Sequence, residues 1–354
     1  MTGIIEIILI VLSYLVFVIV FASLVKDDYW LFKALEYPRL QKFVIVVFLL
    51  ACWAVFWWFT GETNIPALIA LLISSGYLVY KIFPYTTFNP KEVKDAVQVD
   101  KENQVKIFTA NVLQDNEQYG NLIEQIRSCN PDVVMLMEAD HKWYQAMKEI
   151  ESDYSICIAK PLDNTYGMIL YSKLQIEEGS VQFLVKEDIP SIEGKLILPS
   201  GHKVHFWGLH PKPPVPNESM SATAKDKELM KVAFKVKDTQ LPAIVFGDLN
   251  DVAWSHTTVL FRRVSRLLDP RRGRGFFSTF SAETRLVRFP LDYLFCSKEF
   301  ALVSMKRFPY NGSDHFPIFI HLVLQPEVDN ENQASEVDRK DAEEAKEIAF
   351  EKED

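Results

Sequence analysis

Cysteine is scarce in this 354-residue chain. Cys52, Cys129, Cys157 and Cys296 form no CxxC pair or other close cluster, which excludes a zinc ribbon or a thiol-redox motif. Cys52 lies in an apolar run, and the remaining three cannot all pair. They read as small buried residues of a reducing compartment. No cleaved signal peptide is expected either, because no basic segment precedes the first apolar run and no small-residue cleavage site leads from it into a soluble domain. The long apolar runs carry almost no ionisable residues, which argues against a translocation path. No internal repeat is evident. Excess charge is absent from most of the chain as well. Residues 325–354 hold twelve acids and four bases, so this tail supplies −8 of the formal net charge of −9. The acidity is therefore a property of the tail and does not argue against a phosphate-bearing substrate. The rest lacks the broad basic face that a nucleic-acid backbone demands, apart from one arginine-rich stretch.

What is present divides the chain unevenly. Three apolar runs at 3–25, 43–60 and 65–83 come in close succession. Roughly 20 apolar residues cross the hydrocarbon core of a bilayer, so each run is a candidate transmembrane helix. Tyr29, Trp30, Trp57, Trp58, Tyr77 and Tyr80 sit near their ends, where amphipathic rings meet headgroups. The first loop carries Lys26, Lys33, Arg39 and Lys42, the second loop carries no positive charge, and Lys81, Lys91 and Lys94 follow the third run. By the positive-inside rule the amino terminus lies outside, and the first loop and everything after the third run are cytoplasmic. Residues 29–40 have the alternative of lying as an interfacial helix.

The membrane part is expected at 1–84 and a linker at 85–104. Residues 105–325 alternate between apolar strand patterns (105–111, 133–137, 168–171, 204–209, 243–246, 291–296, 318–322) and helical spacing (119–128, 225–236), which suits a layered α/β domain. The tail, 326–354, has too little apolar content to fold alone and is expected to be disordered, or helical only around 338–350.

Chemistry-bearing residues collect where these strands run into loops. Glu138 ends the run Val133-Val134-Met135-Leu136-Met137, and Asn111 ends another; a solvated strand end and a turn residue are the plainer readings of each alone. A hard cation such as Mg²⁺ needs few carboxylates, so one Glu with substrate oxygens would suffice. His210 precedes a proline-stiffened loop and suits an acid or a hydrogen-bond donor, or else a structural imidazole. In Phe246-Gly247-Asp248-Leu249-Asn250-Asp251, Asp248 and Asn250 are two apart on an extended segment and emerge on one face. Gly312-Ser313-Asp314-His315 sets an acid beside a base, and Asp292 can fix the tautomer of His315. Arg262, Arg263, Arg266, Arg271, Arg272 and Arg274 form the basic stretch. Of these, Arg271, Arg272 and Arg274 are candidates for bidentate phosphate contact, against a solvated helix face or an anionic-lipid contact.

Taken in order, Asn111, Glu138, His210, Asp248-x-Asn250, Asp292 and Ser313-Asp314-His315 resemble the endonuclease/exonuclease/phosphatase superfamily, the group of DNase I, abasic-site endonucleases, sphingomyelinases and inositol phosphatases. The resemblance covers about 105–324. It implies a four-layer α/β/β/α sandwich behind three transmembrane helices, with Mg²⁺, or Mn²⁺ in its place, held by Glu138 with Asn111 and Asp314 near it. It further implies that Asp248 orients or deprotonates water, Asn250 holds the phosphate, His315 with Asp292 acts on phosphate or water, and His210 assists. The three runs, Tyr37-Pro38-Arg39-Leu40-Gln41 and Asn164-Thr165-Tyr166-Gly167-Met168 are similar to the membrane-anchored bacterial branch. This implies a multi-pass protein of a bacterial inner membrane, partnered by the bilayer and a phosphorylated, lipid-linked substrate. A Mg²⁺-dependent nuclease and an inactive membrane scaffold are the alternatives; the intact acid and imidazole set argues against the scaffold.

Overall fold

The computed structural model describes residues 2–216, 218–328, 330 and 337–351. Three of its helices are long and apolar enough to cross a membrane: Gly3–Ala22, Arg39–Thr60 and Ile65–Tyr85. They correspond to α1 (Thr2–Ala22), α3 (Arg39–Thr60) and α4 (Ile65–Ile82), with the five-residue α2 (Trp30–Ala34) between the first two. Gly61 ends α3 in the left-handed region, and the Asn64 side chain caps α4 by accepting from the Ala67 amide at 3.0 Å. The helices meet through Val20, Val46, Leu49, Trp53, Leu71 and Leu78, and leave most of their apolar surface outward.

The expected helix at 29–40 shrinks to α2, because the segment around it is held by the following domain rather than lying free. The Trp30 amide donates to the Met220 carbonyl and the Ala222 amide to the Asp28 carbonyl. The Trp254 indole donates to the Glu36 carbonyl.

From β1 (Gln104–Asn111) onward the chain builds two sheets. One runs β10-β11-β1-β2-β4-β3, and the other β5-β6-β7-β8-β9. Here β2 is Val133–Met137, β3 Ile156–Lys160, β4 Met168–Ser172, β5 Gln175–Gln182, β6 Ser191–Ile197, β7 Lys203–Leu209, β8 Ala243–Asp248, β9 Asp292–Cys296, β10 Phe300–Arg307 and β11 Ile318–Leu324. Side-chain alternation decides the layers. Val105, Ile107, Val133 and Met135 face inward against Phe206, Ile244 and Phe246 of the other sheet. The opposite faces are covered by helices. Phe108, Val134 and Leu136 pack under α5 (Tyr119–Cys129) and α6 (His141–Met147), and Trp207, Val245 and Tyr293 under α7 (Thr223–Asp238) and α8 (His256–Ser265). The result is a four-layer α/β/β/α sandwich.

The tail takes the helical alternative around 338–350: residues 339–351 are helical, with α9 (Arg339–Lys346) continued by a wider turn over Glu347–Glu351. Ala345 and Ala349 are buried against α7 and α8, and Glu344 pairs with Lys26 at 2.9 Å and with His256 at 2.5 Å. Part of the stretch expected to be disordered, 329, 331–336 and 352–354, lies outside the described residues.

Candidate active site

Two parallel strand pairs set the site. β1 runs beside β2 with Asn111 opposite Met137, and β7 beside β8 with Leu209 opposite Gly247. Both pairs therefore release their next residues at the same end of the sandwich: Glu138, His210 and the loop after Asp248. β9 runs antiparallel to β8 and brings Asp292 opposite Asp248. Gly247 has φ of 132°, and a Cβ there would overlap the Leu209 carbonyl, so only glycine lets the two strands approach this closely. The Asp248 amide donates to the Met137 sulfur at 3.0 Å, which ties the two sheets together at the floor of the site.

The hydrogen bonds around this floor form one network. The Asn111 amide donates to Glu138 Oε1 at 2.7 Å and to Asp248 Oδ2 at 3.2 Å. The Ser313 hydroxyl donates to the Asn111 carbonyl at 2.8 Å and accepts from the His315 amide at 3.0 Å, so the Gly312–His315 loop is clamped to the end of β1. Asp292 Oδ2 lies 2.7 Å from His315 Nδ1, while Asp248 Oδ2 lies 3.5 Å from His315 Nε2 and 4.0 Å from His210 Nε2. The Asn250 side chain donates to the Pro211 carbonyl at 3.0 Å, and its own carbonyl accepts from Tyr37. Glu138 and Asn250 both adopt left-handed backbone angles (φ 58° and 49°), which cost an L-residue energy and are characteristic of held functional groups.

Burial and like charge shape the ionisations. Glu138 is pushed up to about 7, first by burial, with Asp314 and Asp248 adding and Asn111 and His315 opposing. Asp248 is raised by burial and by Asp292. For His315, burial disfavours the charge, but Asp292 and Asp248 outweigh it and carry the imidazole up to about 10. His210 is lowered to about 4 by burial and is neutral at physiological pH. The site thus holds one imidazolium and one neutral imidazole, two donors of different strength.

Glu138, His210, Asp248, Asn250, Asp314 and His315 share the wall of one cavity of about 600 Å³. Asn111 and Asp292 stand behind it. Among the described residues the cavity wall carries four acids, Glu138, Glu218, Asp248 and Asp314, and no lysine or arginine. A phosphate would meet net negative charge there unless a cation entered with it. Asp314 Oδ1 is buried with no hydrogen-bond partner among the described residues, which suits a hard divalent ion beside Glu138. Asp248, Asp292 and His315 also approach within 4.8 Å of one another. Their contacts are already those of a hydrogen-bonded relay, since His315 Nδ1 is taken by Asp292.

The arginine expectation is corrected. Arg271 is buried, bidentate to Asp269 at 2.9 and 2.7 Å, and stacked 4.0 Å over Tyr293. Arg272 pairs with Glu92, and Arg274 with Asp95 and the Val93 carbonyl. None of the three lines the cavity. The stretch is spent pinning residues 92–95 to the domain, because a guanidinium leaving water needs a carboxylate partner.

Several cavity residues were not singled out as site residues by sequence. Tyr166 stacks 5.4 Å from His210 and donates to Glu218. Phe280 packs 5.0 Å from the His315 ring. A third group comes from the first loop: Trp30, Ala34, Tyr37 and Pro38 form one wall. The Tyr37 hydroxyl donates to the Asn250 carbonyl at 2.7 Å, and its ring meets Phe289 edge-on at 5.5 Å. A buried chain of charges, Lys33–Asp226–Lys225–Asp251 with contacts of 2.8, 3.0 and 2.7 Å, joins that loop to the residue after Asn250. The only sequence signals were the Tyr37-Pro38 and Tyr166-Gly167 segments; the rest are single aromatics whose meeting depends on tertiary packing.

This fold and this acid–imidazole floor define a phosphoesterase-type sandwich. The chain belongs to the endonuclease/exonuclease/phosphatase family, whose model matches residues 108–315. Members of that family are in general metal-dependent hydrolases of phosphoester bonds. A search of curated proteins finds no match. Among solved structures, the chain is similar to D. rerio TDP2 complexed with a single-strand DNA product, at 17% identity and TM-score 0.53, over 62% of this chain and 98% of that one. It is similar to the endonuclease/exonuclease/phosphatase from Beutenbergia cavernae DSM 12333, at 16% identity and TM-score 0.51, over 63% and 72% of the respective chains. It is also similar to the human Nocturnin catalytic domain with bound sulfate, at 17% identity and TM-score 0.50, over 64% and 97%. At such identities the likeness concerns the fold.

Proposed function

We propose that this chain is a membrane-anchored, Mg²⁺-dependent phosphoesterase that hydrolyses a lipid-linked phosphate ester or diphosphate. The observation that carries the reading is the first-loop wall. Trp30, Ala34, Tyr37 and Pro38, from between the first two apolar helices, line the same cavity as Glu138, Asp248 and His315. With three crossings, that loop and the sandwich lie on one side of the bilayer, so the cavity opens at the membrane surface. Most of its remaining wall is apolar, with Pro213, Pro214, Val215, Val287, Phe289 and Leu291 beside Thr165, Tyr166 and Glu218, which suits the first carbons of a lipid chain more than a polar sugar backbone.

Glu138, with Asp314 and Asn111 beside it, would hold the cation, which when bound supplies charge neutralisation at the phosphoryl oxygens. Asp248 orients the attacking water and accepts its proton, helped by Asn111, which donates to it. His315, charged through Asp292, donates to a phosphoryl or leaving oxygen, and neutral His210 donates a weaker hydrogen bond. Asn250, fixed by Pro211 and Tyr37, supports the phosphate. Mn²⁺ would suit the same oxygen-rich set.

The cytoplasmic side follows from the charge count of the first loop, although Lys26 and Lys33 of that loop are engaged by Glu344 and Asp226. A bacterial inner membrane follows from the family branch. The nuclease alternative lost support when the arginine stretch proved to be paired away from the cavity.

The test is phosphate release by the detergent-solubilised protein from a polyprenyl diphosphate, a phospholipid, an inositol phosphate and plasmid DNA. Each is assayed with Mg²⁺, with EDTA and as His315→Ala. Metal-dependent release from a lipid phosphate, lost in the variant, is expected. Nicking of DNA without lipid turnover would replace the reading with the nuclease, and a chain inert on all four would point to the scaffold.

A further inference from the structure

A second cavity, of about 890 Å³, lies where α3 begins. On one side it is lined by Leu40, Val44 and Ile45 of α3, on the other by Leu286 and the guanidinium groups of Arg285, Arg288 and Arg307. Leu286 is 83% exposed at the tip of its loop, and its carbonyl accepts from the Gln41 side chain at 3.1 Å. Leu40, Val44 and Ile45 are themselves exposed. Apolar surface on both sides of a cation cluster, at the start of a helix able to span a bilayer, is the profile of the headgroup zone.

Two of these cations are held by carbonyls and a ring rather than by carboxylates. Arg288 and Arg307 both stack on Phe316, at 5.0 and 4.3 Å. Arg307 donates to the Ser278 carbonyl at 2.6 Å, and Arg288 to the Ser281 and Thr284 carbonyls at 3.2 Å. Among the described residues none of the three arginines forms an ion pair. By contrast Arg262, Arg271, Arg272 and Arg274 are all paired. Arg307 is held below its ordinary pKa by burial and by Arg288, with no acid opposing. Two guanidinium groups gathered on one ring without an anion leave room for one.

We infer that this cavity binds an anionic phospholipid of the surrounding bilayer, with the phosphate between Arg285, Arg288 and Arg307 and an acyl chain along Leu40, Val44 and Ile45. The inference rests on the membrane reading above, and it adds a consequence for the active site. The loop that carries Arg285 and Arg288 also carries Val287 and Phe289 of the catalytic cavity. The Ala282 amide donates to the Asp314 carbonyl at 2.6 Å, so a lipid seated on this loop steadies the wall beside Asp314 and His315.

The test uses the full chain, delipidated in a neutral detergent. Thermal melts are titrated with short-chain phosphatidylglycerol, short-chain phosphatidylcholine and glycerol 3-phosphate. Wild type is expected to bind phosphatidylglycerol at least about tenfold more tightly than phosphatidylcholine, and each Arg→Gln change to weaken it roughly fivefold. Arg285→Gln is the key single variant. Its side chain is exposed and forms no ion pair among the described residues, so its melt in phosphatidylcholine nanodiscs should match wild type even if Arg307→Gln fails to fold. Equal affinity for both lipids, an unchanged preference in Arg285→Gln, or saturation by glycerol 3-phosphate as tight as by the lipid would each overturn the inference. Alkaline extraction of membranes separates this from failure of the membrane reading. A chain released by the wash refutes both, whereas a retained chain without lipid preference refutes only the binding site.

Discussion

Replacing Asp292 by asparagine removes one charge from the buried relay and little volume. His315 rises from an ordinary 6.5 to about 10 under Asp292 and Asp248, against the opposing effect of burial. At about 1.4 kcal/mol per tenfold, that preference for the imidazolium is worth roughly 5 kcal/mol in total. Asp292 is the nearer carboxylate, at 2.7 against 3.5 Å, and takes the larger share. Relief of the Asp292–Asp248 repulsion returns part of the loss, so a net destabilisation of about 2 kcal/mol is expected near neutral pH. For a chain of this size that lowers the melting temperature by about 3 °C. The sign with pH is fixed. A group whose pKa is higher in the folded protein stabilises it fully below 6.5, and the contribution fades as pH rises through about 10. The difference between wild type and Asp292→Asn should therefore be largest at pH 6 and shrink towards pH 10, read by thermal melts in detergent with EDTA present throughout. A difference that is constant across this range, or that grows with pH, would refute the picture of a carboxylate-stabilised imidazolium. Turnover at pH 7 should fall about 10- to 100-fold in the same variant, in line with the loss of a hydrogen bond to a charged group.

Three other perturbations test separate parts of the structure. Tyr37→Phe leaves the Asn250 carbonyl without its donor and should cost about 1–2 kcal/mol in thermal melts; turnover should fall as well, because Asn250 is held at φ 49°, whereas an unchanged kcat would detach the first loop from catalysis. Glu92→Ala leaves Arg262 and Arg272 without their shared carboxylate, contacts of 2.7 and 3.0 Å, and should destabilise by about 3–5 kcal/mol in chemical denaturation. Glu228 is raised to about 8 by burial, and its Oε1 has no partner, so the folded protein prefers it protonated and loses stability as pH climbs from 4.5 to about 8. Glu228→Gln should then be near neutral at pH 4.5 and stabilising by on the order of 3 kcal/mol at pH 8, and a stability difference that ignores pH would remove the argument.

The polar strand ends were legible in the sequence because strand periodicity and terminal position are local properties. Asn111 and Asp248 end apolar runs and Glu138 and His210 sit one step beyond them, and the parallel pairing of β1 with β2 and of β7 with β8 then gathers these four; Asp314 lies in the loop before β11 and is brought to them by the Ser313 clamp. A layered α/β domain was legible from the alternation of strand and helix patterns, while the count of four layers came only with the resemblance carried by the site residues. The arginines misled because a dense cationic stretch looks the same whether its counter-charges are substrate or protein. Glu92, Asp95 and Asp269, which neutralise it, are spread over more than 170 positions. The tail's helix around 338–350 was legible as an alternative, but its docking was not, because low apolar content speaks against independent folding and says nothing of a surface to dock on. Two buried alanines and pairs from Glu344 and Asp341 hold 337–351 onto a surface already built. The left-handed geometry of Glu138 and the cavity wall from the first loop have no local signature at all.

Glu344 touches Lys26 on the first loop and His256 on the sandwich at once. The loop leaves the ribosome early, yet one of its anchors is made 318 residues later. The loop's other anchors come earlier in the chain, since the Trp30 amide rests on the Met220 carbonyl and Tyr37 on Asn250 and Phe289. The first loop is thus fastened by contacts that run from Met220 to Glu344, and the one at its Lys26 end closes only after synthesis has reached the tail.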